Sequence, residues 1–234
     1  MSRIRLRKGL LTLMALLVIL MTTGCVKVKS NLKINKDGSS DLTLIYALDE
    51  QIASFGGDVN SSLNELKKGA EEKGFKASNY KDDDYLGVKV TKHFEDFKEV
   101  SSDLTDEQQL FKFNVNEKKG FFKNTYAVKS EFDFTGMTEQ IDSDSMDAEI
   151  ASSVINQMDL SFTLVLPVKA GENNASEVKN DGKTLEWVFI PNEINDVEFE
   201  FEKVNTLNIV LLVAGLVAVV ISLFFILKRR KKNV

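Results

Sequence analysis

Apolar and polar residues alternate along most of the middle of the chain. The first two alternating sets are Val26, Val28, Leu32 and Ile34, then Leu42, Leu44, Tyr46 and Leu48. A period of two predicts half-buried β-strands, and the turn-forming segment 35–39 between the sets predicts a hairpin. Residues 26–48 are therefore expected to be two paired antiparallel strands.

Similar patterns predict the other elements. Two further hairpins are expected at 75–94 and 110–134, with later strands at 160–166, 185–190 and 197–203, and a loop at 169–176. Spacing of three or four predicts a helix with Val59, Leu63, Leu66 and Ala70 on one face, a possible capping box at Ser62–Glu65 and an end at Gly74. A short helix is expected within 94–104, and an amphipathic helix within 146–158. The fold class is α+β, a mainly antiparallel β-sheet with two or three inserted helices.

Phenylalanine is concentrated on these predicted strands. The strand positions are Phe111, Phe113, Phe121, Phe122, Phe132, Phe134, Phe162, Phe199 and Phe201. These rings fill a core, or else the strands and amphipathic helices enclose an apolar cavity for an acyl chain. The sequence leaves both possibilities open.

The N-terminal end has the pattern of a bacterial export signal. A basic start precedes a short apolar stretch and Met-Thr-Thr-Gly-Cys, which ends at Cys25, the only cysteine. We predict a lipoprotein signal peptide at 1–24 and a diacylglyceryl thioether on Cys25. Thr22 stands where such signals usually carry Leu, so we expect slow processing.

The C-terminal end predicts a membrane anchor. Residues 207–227 carry no charge and span roughly 31 Å as a helix, the thickness of a bilayer's hydrocarbon core. The basic tail 228–234 is expected in the cytoplasm by the positive-inside rule, which leaves 25–206 as an extracytoplasmic domain at the bacterial cell membrane. Because strand pattern begins at Val26 and reaches about Lys203, tethers of roughly 15 Å predict that Val26 and Val204 share one membrane-proximal pole, where the first and last strands are antiparallel neighbours.

The net charge of the domain and the residue types it contains exclude several classes of function. Away from the two ends, 21 basic residues face 35 acidic ones, and this excess excludes a nucleic-acid binder. His93 is the only histidine and is expected on the surface, so we predict no catalytic centre, no metal site and no cofactor. The acidic groups expected to be solvated are Asp82, Asp83 and Asp84, then Asp142, Asp144 and Asp147, then the outward ladder Glu198, Glu200 and Glu202.

Several segments in order resemble one known family. They are Val26-Lys27-Val28 directly after the cysteine, residues 32–39, the strand 85–90, residues 162–167, residues 180–187, the last strand, the apolar helix and the basic tail. From Cys25 to the end, the chain resembles the LppM-type bacterial lipoprotein domain. The resemblance implies a mixed α/β fold likened to lipid-binding proteins, handling of lipid or glycolipid at the cell surface, and no catalytic residues.

Two functions follow as hypotheses. The first is a non-enzymatic surface lipoprotein that binds or presents an envelope lipid or glycolipid beside the membrane. The alternative is a protein-interaction or scaffold module of the cell envelope, with a filled core and no lipid ligand. An apolar cavity or groove distinguishes the first from the second.

Overall fold

The computed structural model describes residues 24–55, 59–82, 84–100, 111–135 and 152–230. The strands are β1 (Val26–Ile34), β2 (Ser40–Asp49), β3 (Lys76–Asp82), β4 (Tyr85–Phe94), β5 (Phe111–Lys118), β6 (Lys123–Asp133), β7 (Asp159–Val165), β8 (Ala170–Asn173), β9 (Glu177–Lys179), β10 (Thr184–Phe189) and β11 (Ile194–Val204). The longer helices are α1 (Glu50–Phe55), α2 (Val59–Glu72) and α3 (Thr206–Arg230). Residues 152–156 are also helical.

Within these residues the strands form two sheets. The seven-stranded sheet has the order β3-β4-β2-β1-β7-β10-β9, and the four-stranded sheet has the order β5-β6-β11-β8. Every neighbouring pair is antiparallel except β1 and β7, which are parallel. The predicted α+β class with mainly antiparallel strands is confirmed.

Local turn chemistry produces the predicted first hairpin. Asp37 accepts hydrogen bonds from the backbone N–H and the hydroxyl of Ser39, and Gly38 has φ +103°. That conformation is strained for residues with a Cβ atom, which explains the glycine. β1 and β2 then pair over their whole length, from Val26 with Leu48 to Ile34 with Ser40.

Among the helices, one capping signal was wrong and one short helix was missed. α2 ends at Glu72 and Gly74 follows with φ +77°, as expected of a C-terminal helix stop. α2 begins at Val59, the first residue of the predicted apolar face, so Ser62 lies inside the helix and the possible capping box at Ser62–Glu65 is wrong. The six-residue α1 was not predicted, because it is too short to show a period. The predicted helices near 94–104 and 146–158 extend into residues outside the described ones.

Three strand boundaries also differ. The β5–β6 turn lies at 119–122, so Phe121 and Phe122 belong to the turn and not to a strand. The segment predicted as a loop at 169–176 contains β8, an edge strand of the smaller sheet, and the three-residue β9 was missed. Two of these errors concern strands of four residues or fewer, which are too short for alternation to be informative.

Aromatic rings fill the space between the sheets. Neighbouring ring centroids lie between 4.6 and 6.2 Å apart along one continuous path, within the usual range for aromatic pairs. The path runs through Phe97, Tyr126, Phe201, Phe199, Trp187, Phe162, Phe132, Phe189 and Phe134. Along this path the core is packed, as the first of the two possibilities for the phenylalanines predicted.

The first strand begins and the last strand ends at opposite ends of the described domain. At one end Lys203 Nζ donates to the Asp37 carbonyl oxygen at 2.7 Å, beside the β1–β2 turn. Cys25 lies at the other end, where its carbonyl oxygen accepts from Asp49 N–H at 3.0 Å. We call these ends the α3 pole and the Cys25 pole. β1 connects them and, with nine residues, is roughly 30 Å long.

The prediction that Val26 and Val204 share a pole is therefore wrong. β1 lies between β2 and β7, whereas β11 lies between β6 and β8 in the other sheet, so the two are not neighbours either. Both strands run towards the α3 pole. The short tethers limit how far each strand end is from its anchor, but they do not determine the relative direction of strands in different sheets.

Candidate functional site

One face of the seven-stranded sheet carries a partly exposed row of apolar side chains. Val26 pairs with Leu48, Val28 with Tyr46, and Leu48 with Leu86 across the adjacent strands β1, β2 and β4. Residues directly opposite each other in antiparallel strands point to the same face. We call this row the apolar strip, and its members are Val26, Val28, Leu44, Tyr46, Leu48 and Leu86.

On β1 and β2, burial on this face decreases towards the Cys25 pole. Leu32 and Leu42, which point the same way nearer the α3 pole, are only 1% and 3% exposed and belong to the core shared with the four-stranded sheet. In the strip, Tyr46 is 38% exposed and the other five members are half-buried. Burial of the phenol raises the pKa of Tyr46.

Helix α2 borders the strip on the side away from the four-stranded sheet. Lys67 Nζ donates to Asn79 Oδ1 at 2.8 Å, and Asn79 pairs with Val88, which faces the same way as Tyr46. Beyond the end of the helix, Lys92 Nζ donates to the Lys73 carbonyl oxygen at 3.2 Å. Val88 is accordingly 1% exposed. The strip thus lies between α2 and the part of this face that the smaller sheet covers.

Cys25 packs directly against the folded domain, with no linker between them. Its Sγ lies 3.8 Å from Gln157 Oε1 and its residue is half-buried. The Tyr85 hydroxyl donates to the Gly24 carbonyl oxygen at 2.6 Å, and Lys27 Nζ lies 3.4 Å from the centre of the Tyr85 ring. A group bound to this sulfur is consequently held at the Cys25 pole, next to the end of the apolar strip.

Residues 27–203, three quarters of the chain, match the LppM domain. The chain belongs to the LppM family. Among solved structures it is similar to the NMR structure of the folded domain of Mycobacterium tuberculosis LppM, with 15% identity, a TM-score of 0.47, and coverage of 79% of this chain and 93% of that one. No curated protein matches the chain.

A second match concerns the C-terminal end of this LppM family member. Residues 205–234 match the LPXTG cell wall anchor motif. The only two prolines in the sequence, Pro167 and Pro191, both precede these residues, so the matched features are the apolar helix and the basic tail rather than the pentapeptide. Among the described residues, Thr206–Phe224 is long and apolar enough to cross a membrane, and none of it is buried. The family domain is thus extracellular and anchored to the membrane or cell envelope.

His93 lies on the opposite face of the sheet from the apolar strip. Its Nδ1 is 2.7 Å from Asp41 Oδ1, and both side chains are about half exposed. The hydrogen bond with Asp41 raises the pKa of His93, while hydrogen bonds from Asn35 and His93 lower the pKa of Asp41. This is the surface position expected from the sequence.

The acidic residues singled out from the sequence are dispersed. Asp82 accepts a hydrogen bond from the Tyr80 hydroxyl, whereas Asp83 and the group Asp142, Asp144 and Asp147 lie outside the described residues. On β11, Glu198 pairs with Lys129 at 2.7 Å and Glu202 with Lys123 at 2.6 Å. These two glutamates form cross-strand ion pairs on an outward strand face, as predicted.

The apolar strip itself was not predicted as a site. The alternating pattern predicted that this whole face is buried in the core. Leu32 and Leu42 are buried as predicted, whereas Tyr46 is exposed and Leu48 is half-buried. The missing information is which part of that face the second sheet covers, because the covering strands are distant in the sequence.

Proposed function

We propose that the chain is a non-enzymatic, membrane-anchored bacterial surface lipoprotein that binds an envelope lipid or glycolipid along the apolar strip. The observation that carries this proposal is the exposure of Tyr46 among half-buried Val28, Leu44 and Leu48, on a face that is buried farther along β1 and β2, at Leu32 and Leu42. Membership of the LppM family agrees with an envelope role.

The strip has the properties that an acyl chain requires. It presents aliphatic and aromatic carbon, and hydrocarbon sites are mostly apolar with few polar groups. The Tyr46 hydroxyl is the polar group within the strip and is suited to a headgroup or glycosyl oxygen. Each methylene group removed from water contributes about 0.8 kcal/mol, so covering six of them contributes about 5 kcal/mol.

Two anchors hold the domain at the membrane in this proposal. A diacylglyceryl thioether on Cys25 supplies two acyl chains, and α3 crosses the bilayer with the basic tail 228–234 in the cytoplasm. We infer that α3 stays in the mature protein, since residues 205–234 contain no proline and hence no Leu-Pro-x-Thr-Gly cleavage site.

The surroundings of His93 support a non-enzymatic role. Its only described ring partner is the Asp41 carboxylate, and both groups face solvent on a strand surface. A catalytic histidine would instead contact a nucleophile in a cleft that excludes water.

A Tyr46→Glu substitution tests the lipid site. It places a carboxylate in the strip, and we expect the full-length protein purified in detergent to retain less co-purified envelope lipid than the wild type, as measured by mass spectrometry of the extracted lipids. Lipid bound around α3 contributes equally to both proteins, so the difference in lipid content between them reports on the apolar strip. Lys89→Glu, on the opposite face of neighbouring β4, is the matched control, and Tyr46→Phe should retain lipid. Equal lipid content in the wild type and Tyr46→Glu would count against the site.

The packed aromatic path favours a second candidate. Because rings contact each other from Phe97 to Phe134, the space between the two sheets resembles a filled core, as a protein-interaction or scaffold module of the envelope requires. This function predicts that the apolar strip contacts a protein partner and that Tyr46→Glu changes no lipid signal.

A further inference from the structure

Two exposed aromatic residues form the tip of the β5–β6 turn. Phe121 and Phe122 are 57% and 56% exposed, and their rings meet edge to face with centroids 4.9 Å apart. Neither ring contributes to the core between the sheets. A turn that closes an antiparallel hairpin is usually built from polar residues and glycine, so domain stability does not explain this pair.

The turn is hydrogen-bonded to the first turn of α3. The Asn205 backbone N–H donates to the Phe122 carbonyl oxygen at 2.8 Å, and Asn208 Nδ2 donates to the Phe121 carbonyl oxygen at 3.1 Å. Asn208 is the second residue of the uncharged segment that begins at Leu207. The aromatic pair therefore lies at the same height as the outer end of the apolar helix.

The residues around the pair suit the boundary between water and lipid. Lys118, Lys119 and Lys123 flank the two phenylalanines and are all exposed. Apolar side chains flanked by lysines are typical of segments that lie in the headgroup region, where the lysines also attract anionic lipids. Lys123 additionally pairs with Glu202 at 2.6 Å, which ties this side of the turn to β11.

We propose that Phe121 and Phe122 insert into the outer leaflet at the boundary between headgroups and acyl chains, and so fix the α3 pole of the domain against the bilayer. The inference rests on α3 crossing the membrane, as in the proposed function. Two points of attachment, the helix and the turn, prevent the domain from rotating freely about the short Asn205 connection. The partner of this surface is the lipid bilayer itself.

Tryptophan fluorescence in brominated vesicles tests the depth of the turn. The full-length Phe122→Trp variant is reconstituted in phosphatidylcholine and phosphatidylglycerol vesicles whose acyl chains are brominated either near the headgroup or near the bilayer centre. Native Trp187 is 3% exposed in the core and gives the constant background, measured with the wild type. A Leu212→Trp variant reports on α3.

We expect additional fluorescence in Phe122→Trp to be quenched by lipid brominated near the headgroup more than by lipid brominated near the centre. Quenching of Leu212→Trp without quenching of Phe122→Trp would overturn the insertion of the turn and leave the membrane-spanning helix intact. Absence of quenching in both variants would instead contradict the membrane-spanning α3, and with it the proposed anchoring.

Discussion

At the scale of single residues, one asparagine connects the two sheets. Trp187 Nε1 donates to Asn174 Oδ1 at 2.7 Å, and the same oxygen accepts from the Glu198 backbone N–H at 2.8 Å. Asn174 thereby joins β10 of the larger sheet to β11 of the smaller one. The sequence around Asn174 predicted only a surface loop, because both partners are more than ten residues away in the chain.

The His93–Asp41 pair predicts a pH-dependent stability. The carboxylate raises the pKa of His93 in the folded protein, so the pair stabilises the fold below the ordinary histidine pKa and this contribution is lost as pH rises through the raised value. We expect His93→Gln to lower the melting temperature below about pH 6 and to have little effect above about pH 8. Thermal unfolding monitored by Trp187 fluorescence measures this. A Lys89→Gln control should show no such difference, and an equal effect of His93→Gln at both pH values would refute the prediction.

At the scale of secondary-structure elements, the sequence predicted the features that depend on neighbouring residues and missed those that depend on residues far away in the chain. The β1–β2 and β3–β4 hairpins follow from alternation and from turn residues within five positions of each other. The β5–β6 turn was placed too early, because Phe121 and Phe122 have the composition of a strand. Their actual position in a turn depends on α3, whose first residues hold both carbonyl oxygens.

We expect a glycine-to-alanine substitution to have opposite effects on stability at two positions. A Cβ atom on Gly87 would overlap the Tyr46 carbonyl oxygen and lie 2.7 Å from Ala47 Cα, whereas one on Gly69 in α2 would meet no atom within 4 Å. We expect Gly87→Ala to lower the free energy of unfolding by at least about 2 kcal/mol through the β2–β4 pairing. Gly69→Ala should raise it by about 1 kcal/mol.

Denaturant unfolding in detergent, followed by Trp187 fluorescence, checks both glycine predictions on the full chain. Trp187 is the only tryptophan and lies between the sheets, so its signal reports unfolding of the domain. A Gly87→Ala protein as stable as the wild type would contradict the close approach of β2 and β4.

For the whole molecule, the main structural result is that Cys25 and the start of α3, the two proposed attachment points, lie at opposite poles of the domain. The sequence predicted both anchors and the length of their tethers, but not that β1 and β11 run in the same sense in different sheets. With Cys25 and Val204 at opposite poles, a strand of roughly 30 Å separates the anchor points. If both anchors enter one bilayer, β1 must lie nearly parallel to the membrane surface.

This lengthwise orientation depends on lipidation of Cys25. Ile190 is 55% exposed at the Cys25 pole, and we expect an Ile190→Trp variant, purified from bacterial membranes, to be quenched by vesicles brominated near the headgroup. The same substitution in a protein whose residues 1–25 are replaced by an ordinary cleavable export signal without a lipidation cysteine should not be quenched, because α3 alone does not hold that pole at the membrane. Identical quenching with and without the cysteine would exclude a double anchor of this kind.

The most direct test of the account is photo-crosslinking with a phospholipid that carries a diazirine in its acyl chain. The full-length protein is reconstituted with this lipid, irradiated and mapped by peptide mass spectrometry, with adducts on α3 as the internal positive control. We predict further adducts on the β2 segment that contains Leu44, Tyr46 and Leu48, and their loss in Tyr46→Glu. Adducts confined to α3 and to the Phe121–Phe122 turn would show that the apolar strip does not bind lipid.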